Sequence, residues 1–188
     1  MFEYVFSIGY GCIPAYQIKR WIPHSQPQFF DNLNVPYPAL ISMWTNGLVE
    51  TLFDETQFVR TGAYLQNAAL QVTFTQELIN EKTFDKEYDN ILAAYMAMEQ
   101  KWNKAMNSGG LVCLIRHHIL QDECVTLLNA INNLYPNADC HILAMNERDP
   151  AEDWDIPKIY NGYVAPNSGI WHGNDDSWQH EFRKFKVI

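Results

Sequence analysis

Leu111-Val112-Cys113-Leu114-Ile115 is an unbroken apolar run, preceded by Gly109-Gly110 and stopped by Arg116-His117-His118. Its length suits a strand, and its lack of polar alternation suits one buried on both faces, as the central strands of a parallel sheet are. Residues 140–145 read as another buried-type strand, ending at Asn146. Residues 3–8, with the β-favouring Tyr4, Val5, Phe6 and Ile8, read as a short strand stopped by the turn Gly9-Tyr10-Gly11.

Between these runs the apolar period becomes helical. Tyr88, Ile91, Leu92, Tyr95, Met98 and Trp102 recur at three- and four-residue intervals through residues 84–106, and Cys124, Leu127, Leu128 and Ile131 repeat the pattern in residues 121–134. Residues 13–20 read as a helix with Pro14 in its first turn and Lys19 and Arg20 in its last. Residues 37–53 carry the stripe Leu40, Ile41, Trp44, Leu48, Leu52, and residues 176–185 close the chain as a helix capped by Asp175 or Asp176. Residues 23–38, around Phe29-Phe30-Asp31, read as an ordered loop, and residues 58–74 as strand pieces near Val59 and over 70–74. Strands alternating with helices predict one α/β domain over residues 1–188: a three-layer, mostly parallel sheet with helices on both faces, its strands near 4–8, 111–115 and 140–145 adjacent.

A chain of 188 residues, 47% hydrophobic and 14% aromatic, buries a core without disulfide or metal staples. Thirteen basic against 22 acidic side chains give a net charge of −9, which disfavours nucleic acid and anionic membrane surfaces and leaves a small molecule or peptide as the expected partner. No apolar stretch approaches the ~20 residues needed to span a bilayer. The start Met1-Phe2-Glu3 lacks a signal-peptide pattern and the four cysteines form no CxxC pair, so the expectation is a cytoplasmic protein with free thiols. Oligomeric state is not readable from the sequence.

In open α/β sheets ligands bind beyond the carboxyl ends of the strands, here residues 9–12, 116–118 and 146–149. Cys12 is the nucleophile candidate, because a thiol at a helix start meets the positive end of the dipole and unpaired N–H groups that could also hold an oxyanion. The plain alternative is a small residue filling a tight turn. His117 or His118 is the candidate base; strand alternation sends the two to opposite faces, so one of them serves, while His141 lies near the start of its strand. Asn146 or Asp149 could orient that histidine. No cofactor or metal is expected: Pro14 stands where a dinucleotide motif has its third glycine, and Cys140-His141 and His117-His118 lack ligand spacing.

The opening Ser7-Ile8-Gly9-Tyr10-Gly11-Cys12, followed by Ala15-Tyr16-Gln17-Ile18-Lys19-Arg20, resembles that of a bacterial family described as papain-like cysteine peptidases, a domain of unknown function, whose opening runs S-L-G-x-N-C and continues into an A-Y-Q-L-R-R helix. Phe29-Phe30-Asp31 is similar to its P-F-D-W, Leu114-Ile115-Arg116 to its F-x-R, Leu143-Ala144-Met145-Asn146 to a later strand, and Trp171-His172-Gly173-Asn174-Asp175-Asp176-Ser177-Trp178 to its W-x-G-x-D-x-x-W close. The resemblance implies Cys12 as the nucleophile of a hydrolase or acyl-transferring enzyme, amide substrates, Asp31 and Asp175 as binding residues, and a papain-like α+β layout as the alternative fold. The chain departs from the family at its His-Asp-Phe, since residues 70–75 hold no histidine, and has Gly11 for the family's Asn and Asn32 for its Trp. Those departures support a rival expectation: an inactive module in which Gly9, Gly11 and the helix start bind an anion, with Arg116 as counter-charge.

Overall fold

The computed structural model describes residues 1–23, 25–61, 64–75, 81–147, 153–166, 169 and 171–188, with backbone alone at 55, 61 and 81–86. In chain order the elements are β1 (Tyr4–Ser7), α1 (Ile13–Trp21), β2 (Leu33–Asn34), α2 (Tyr37–Asn46), α3 (Leu48–Leu52), β3 (Phe58–Thr61), β4 (Tyr64–Asn67), β5 (Val72–Phe74), α4 (Glu81–Met106), β6 (Leu111–His117), α5 (Gln121–Leu134), β7 (Asp139–Asn146), β8 (Ile159–Tyr163) and α6 (Asp175–Lys184).

The three apolar runs are neighbours in a parallel sheet of order β1-β6-β7-β8. Ser7 lies opposite Ile115 and His117 opposite Met145, so the turn after β1 and the end of β6 meet directly. The order follows the chain without a reversal; adjacency of paired strands, and not a topological switch point, brings these ends together. Successive side chains enter two cores. Val112, Leu114, Ile142 and Ala144 join the cluster that includes Leu40 of α2, Trp102 of α4 and Leu127 of α5, while Cys113, Ile115, Leu143 and Met145 join Ile18 of α1 and Trp178 and Phe182 of α6. Helices therefore flank the sheet. Among the described residues no helix is long and apolar enough to cross a membrane.

β1 is an edge strand, and Gln28 covers part of its open side. The Gln28 amide donates to the Val5 carbonyl at 2.6 Å and its oxygen accepts from Ser7 N–H at 3.1 Å, taking the place of a partner strand.

A second, antiparallel sheet of order β2-β5-β4-β3 accounts for the strand pieces expected in residues 58–74. It also corrects the loop reading of residues 23–38, since Leu33 and Asn34 pair with Phe74 and Thr73. Two residues are too few to show a period in sequence. The expected helix over 37–53 is broken at Gly47, whose φ of 93° lies outside the helical region, into α2 and α3.

Candidate functional site

Beyond β1 the chain takes an unusual path. Gly9, Tyr10 and Gly11 have φ of 69°, 124° and 80° in succession. Glycine is required at the first, because a Cβ there would sit 2.8 Å from Val35 Cγ2. Tyr10 adopts a positive φ without that freedom, a strain on the order of 1–3 kcal/mol that surrounding contacts must hold. The turn delivers Cys12 as the N-cap of α1, half-buried, free, and with no side-chain cap hydrogen bond. Pro14 carries no N–H, and helix geometry leaves the N–H groups of Ile13 and Ala15 without intrahelical acceptors. Positive dipole and open donors thus converge beside the thiol.

Arg116 holds this turn in place. Its Nη1 donates to the carbonyls of Ile8 at 2.8 Å and Gly9 at 2.6 Å, and its Nη2 to that of Val35 at 2.8 Å. The guanidinium is buried beneath the Tyr10 ring, 5.6 Å from its centroid; burial lowers its pKa to about 10, which leaves it charged at neutral pH. Both terminal nitrogens are engaged on backbone, so Arg116 is a clamp for the Cys12 turn.

The histidine pair departs from strand alternation. His118 has φ of 52°, which ends the pleat and folds its ring back on that of His117, centroids 3.8 Å apart; the expectation of opposite faces is corrected. His118 is exposed and packs edge-on against Tyr10 at 5.3 Å. His117 is buried against Trp178, and desolvation first, then the neighbouring His118, lower its pKa to about 3, so its ring is neutral. Its Nε2 is buried without a hydrogen-bond partner, a condition worth about 1–3 kcal/mol of lost solvation. Among the described residues, Glu147 places its Oε1 3.5 Å from His117 Nε2 and 3.8 Å from His118 Nε2. Sequence reasoning missed Glu147; its only signal was position, one residue beyond Asn146 at the end of a buried strand.

Asn146 does not orient either histidine. Its amide brackets Ile119, accepting from the N–H at 3.1 Å and donating to the carbonyl at 3.2 Å, and also donates to Asn161 Oδ1 at 3.1 Å. It fixes the loop that follows His118. Asp149 lies outside the described residues.

Asp31 and Asp175 both seat α1. Asp31, buried, pairs with Lys19 at 3.1 Å and accepts from Gln28 N–H at 3.0 Å; desolvation outweighs these partners and raises its pKa. Asp175 accepts from buried Gln17 at 2.8 Å and pairs with Arg20 at 3.0 Å. The α6 cap is Asn174, whose side chain accepts from Ser177 N–H, and not Asp175 or Asp176 as the sequence suggested. The same turn brings His172 against Tyr16, rings stacked at 4.9 Å. Among the described residues Cys12 forms no hydrogen bond with a histidine.

Compared with protein-family profiles, with curated proteins and with solved structures, the chain matches none.

Proposed function

We propose that the chain is a cytoplasmic, three-layer α/β enzyme of the papain-like family it resembles, a hydrolase or acyl-transferring enzyme with Cys12 as nucleophile and a small amide or peptide as substrate. The observation that carries this reading is the run of three positive-φ residues, clamped by Arg116, that seats a free, half-buried thiol on the open first turn of α1 at the carboxyl edge of the sheet. His118 is the base in this reading, because its ring is exposed beside Tyr10 whereas the buried His117 is too weak a base at a pKa near 3.

The Cys12 sulfur gives its proton to His118 and attacks the acyl carbon, and the N–H groups of Ile13 and Ala15 hold the oxyanion. The acyl–nitrogen bond then breaks as His118 returns the proton to the leaving amine. Water, deprotonated by the same ring, cleaves the thioester and restores the thiol. The rival anion-binding reading is weakened, since both terminal nitrogens of Arg116 already donate to backbone carbonyls.

Iodoacetamide labelling of chelator-treated protein at pH 7, read by mass spectrometry, tests this. Cys12 is expected to label about 10-fold faster than in the unfolded chain, and His118→Gln to remove that acceleration. Cys113, Cys124 and Cys140 are internal controls: all are buried, desolvation raises each thiol, Cys124 and Cys140 to about 12, and none should label in the native state. Cys12 labelling no faster than in the unfolded chain overturns the reading.

A further inference from the structure

The ends of β6 and β7 present three potential ligands to one point. His117 Nε2 and His118 Nε2 approach the same Glu147 oxygen at 3.5 and 3.8 Å, and one ligand atom from each residue lies within 4.8 Å of the other two. Ligands about 2.0–2.2 Å from a tetrahedral ion stand roughly 3.4 Å from one another, close to the two histidine–Glu147 distances; taking one ion would also part the two histidine rings, whose centroids stand 3.8 Å apart. A second observation points the same way: the Nε2 of His117, a residue only 3% exposed, is buried and has no hydrogen-bond partner. Buried nitrogens without partners are rare and call for an explanation such as an ion.

The backbone holds the three together. His118 N–H donates to the Met145 carbonyl at 3.0 Å, extending the β6–β7 ladder past its last pair, and Asn146 grips Ile119 just after. His118 and Glu147 are 40% and 28% exposed in their side chains, which leaves an approach from solvent.

We propose that His117 Nε2, His118 Nε2 and Glu147 Oε1 form a binding site for a zinc-class divalent cation, with a fourth position open to water. Two imidazoles and one carboxylate suit Zn²⁺ or Co²⁺, whereas Ca²⁺ and Mg²⁺ take all-oxygen sets. The site stands independently of the Cys12 chemistry. Where both hold, an ion on His118 removes the base, so that metal-loaded protein is the silent form of the enzyme.

The test uses the full chain as Cys12→Ser, which removes the accessible thiol, stripped with chelator and titrated with Zn²⁺ by calorimetry and with Co²⁺ by visible absorption. One equivalent is expected. Glu147→Gln and His118→Gln, both at solvent-reachable positions, should each weaken binding by roughly 100-fold or more, beyond the loss usual for an outer-shell partner. Asp139→Asn and His172→Gln, which alter the other histidine–carboxylate pairs, should leave it unchanged. No saturable uptake, or uptake indifferent to Glu147→Gln and His118→Gln, overturns the site. Failure of accelerated Cys12 labelling with this binding intact removes the nucleophile and leaves the metal site standing.

Discussion

The two sheets are stabilised by different means. In the parallel sheet β6 is buried at every residue from Val112 to His117, and β7 pairs with it over seven positions. Each aliphatic side chain so buried contributes about 1.5–3 kcal/mol. The antiparallel sheet is made of strands of two to four residues and leaves Val59 and Tyr64 exposed. Among the described residues one of its faces joins the core, through Leu33, Leu65, Val72 and Phe74. One lesson is that the parallel sheet is buried on both faces, while the antiparallel sheet buries less apolar surface and leans more on placed hydrogen bonds.

The largest expected effect comes from the residue that joins both regions. Arg116 lies near the end of β6 and reaches Val35, immediately after β2. Arg116→Met keeps the length and apolar stem but strands three carbonyls, and should lower unfolding free energy by about 3–5 kcal/mol in urea titration. A loss under about 1 kcal/mol would mean that the clamp contributes little and that the sheets are held together elsewhere.

A smaller loss is expected for a pin that ties the antiparallel sheet to the end of α3. Asn67 is fully buried, donates to the Leu52 carbonyl at 3.0 Å and accepts from Leu70 N–H at 3.0 Å, closing the turn between β4 and β5. Asn67→Ala should cost about 1–3 kcal/mol in the same titration. A cost equal to that of Arg116→Met would erase the distinction between a local pin and a joint between sheets.

What was legible in the sequence follows the same division. The run at 111–115 announced itself because burial on both faces removes polar residues, those at 4–8 and 140–145 because all but Ser7 and His141 are apolar, and their parallel pairing followed from the helices between them. β2 could not be seen, since two residues have no period, and the break at Gly47 was hidden under a stripe that continues across it. At the site, Cys12 and the histidines were found from strand ends, but the pairing of the histidines was not. Alternation is a property of strands, and the φ of 52° at His118 ends the strand there. Glu147 was invisible as a ligand for another reason: spacing rules look along one segment, whereas this third group comes from just past the end of the neighbouring strand.

The smallest expected effect separates charge from burial on the parallel sheet itself. His141 on β7 pairs its Nδ1 with the Tyr160 hydroxyl at 2.9 Å, stacks on the Tyr160 ring, and meets Phe2 edge-on. Its Nε2 lies 3.5 Å from Asp139, which is itself bound to Lys158 at 2.7 Å. Desolvation lowers the His141 pKa, with Lys158 assisting and Asp139 opposing without prevailing. The unfolded chain therefore takes up this proton at the ordinary histidine value of about 6.5, before the folded chain does. The contribution is fully present above that value and is lost as pH falls through it toward the lower folded value. His141→Phe keeps the stacking and removes the proton. Urea titrations at pH 7.5 and 5.5 should show the stability of wild type relative to His141→Phe falling on acidification, by no more than about 1.4 kcal/mol per pH unit for one proton. A difference that grows instead would show that Asp139 outweighs burial at this edge of the sheet, and that a parallel strand here is held by charge as well as by apolar mass.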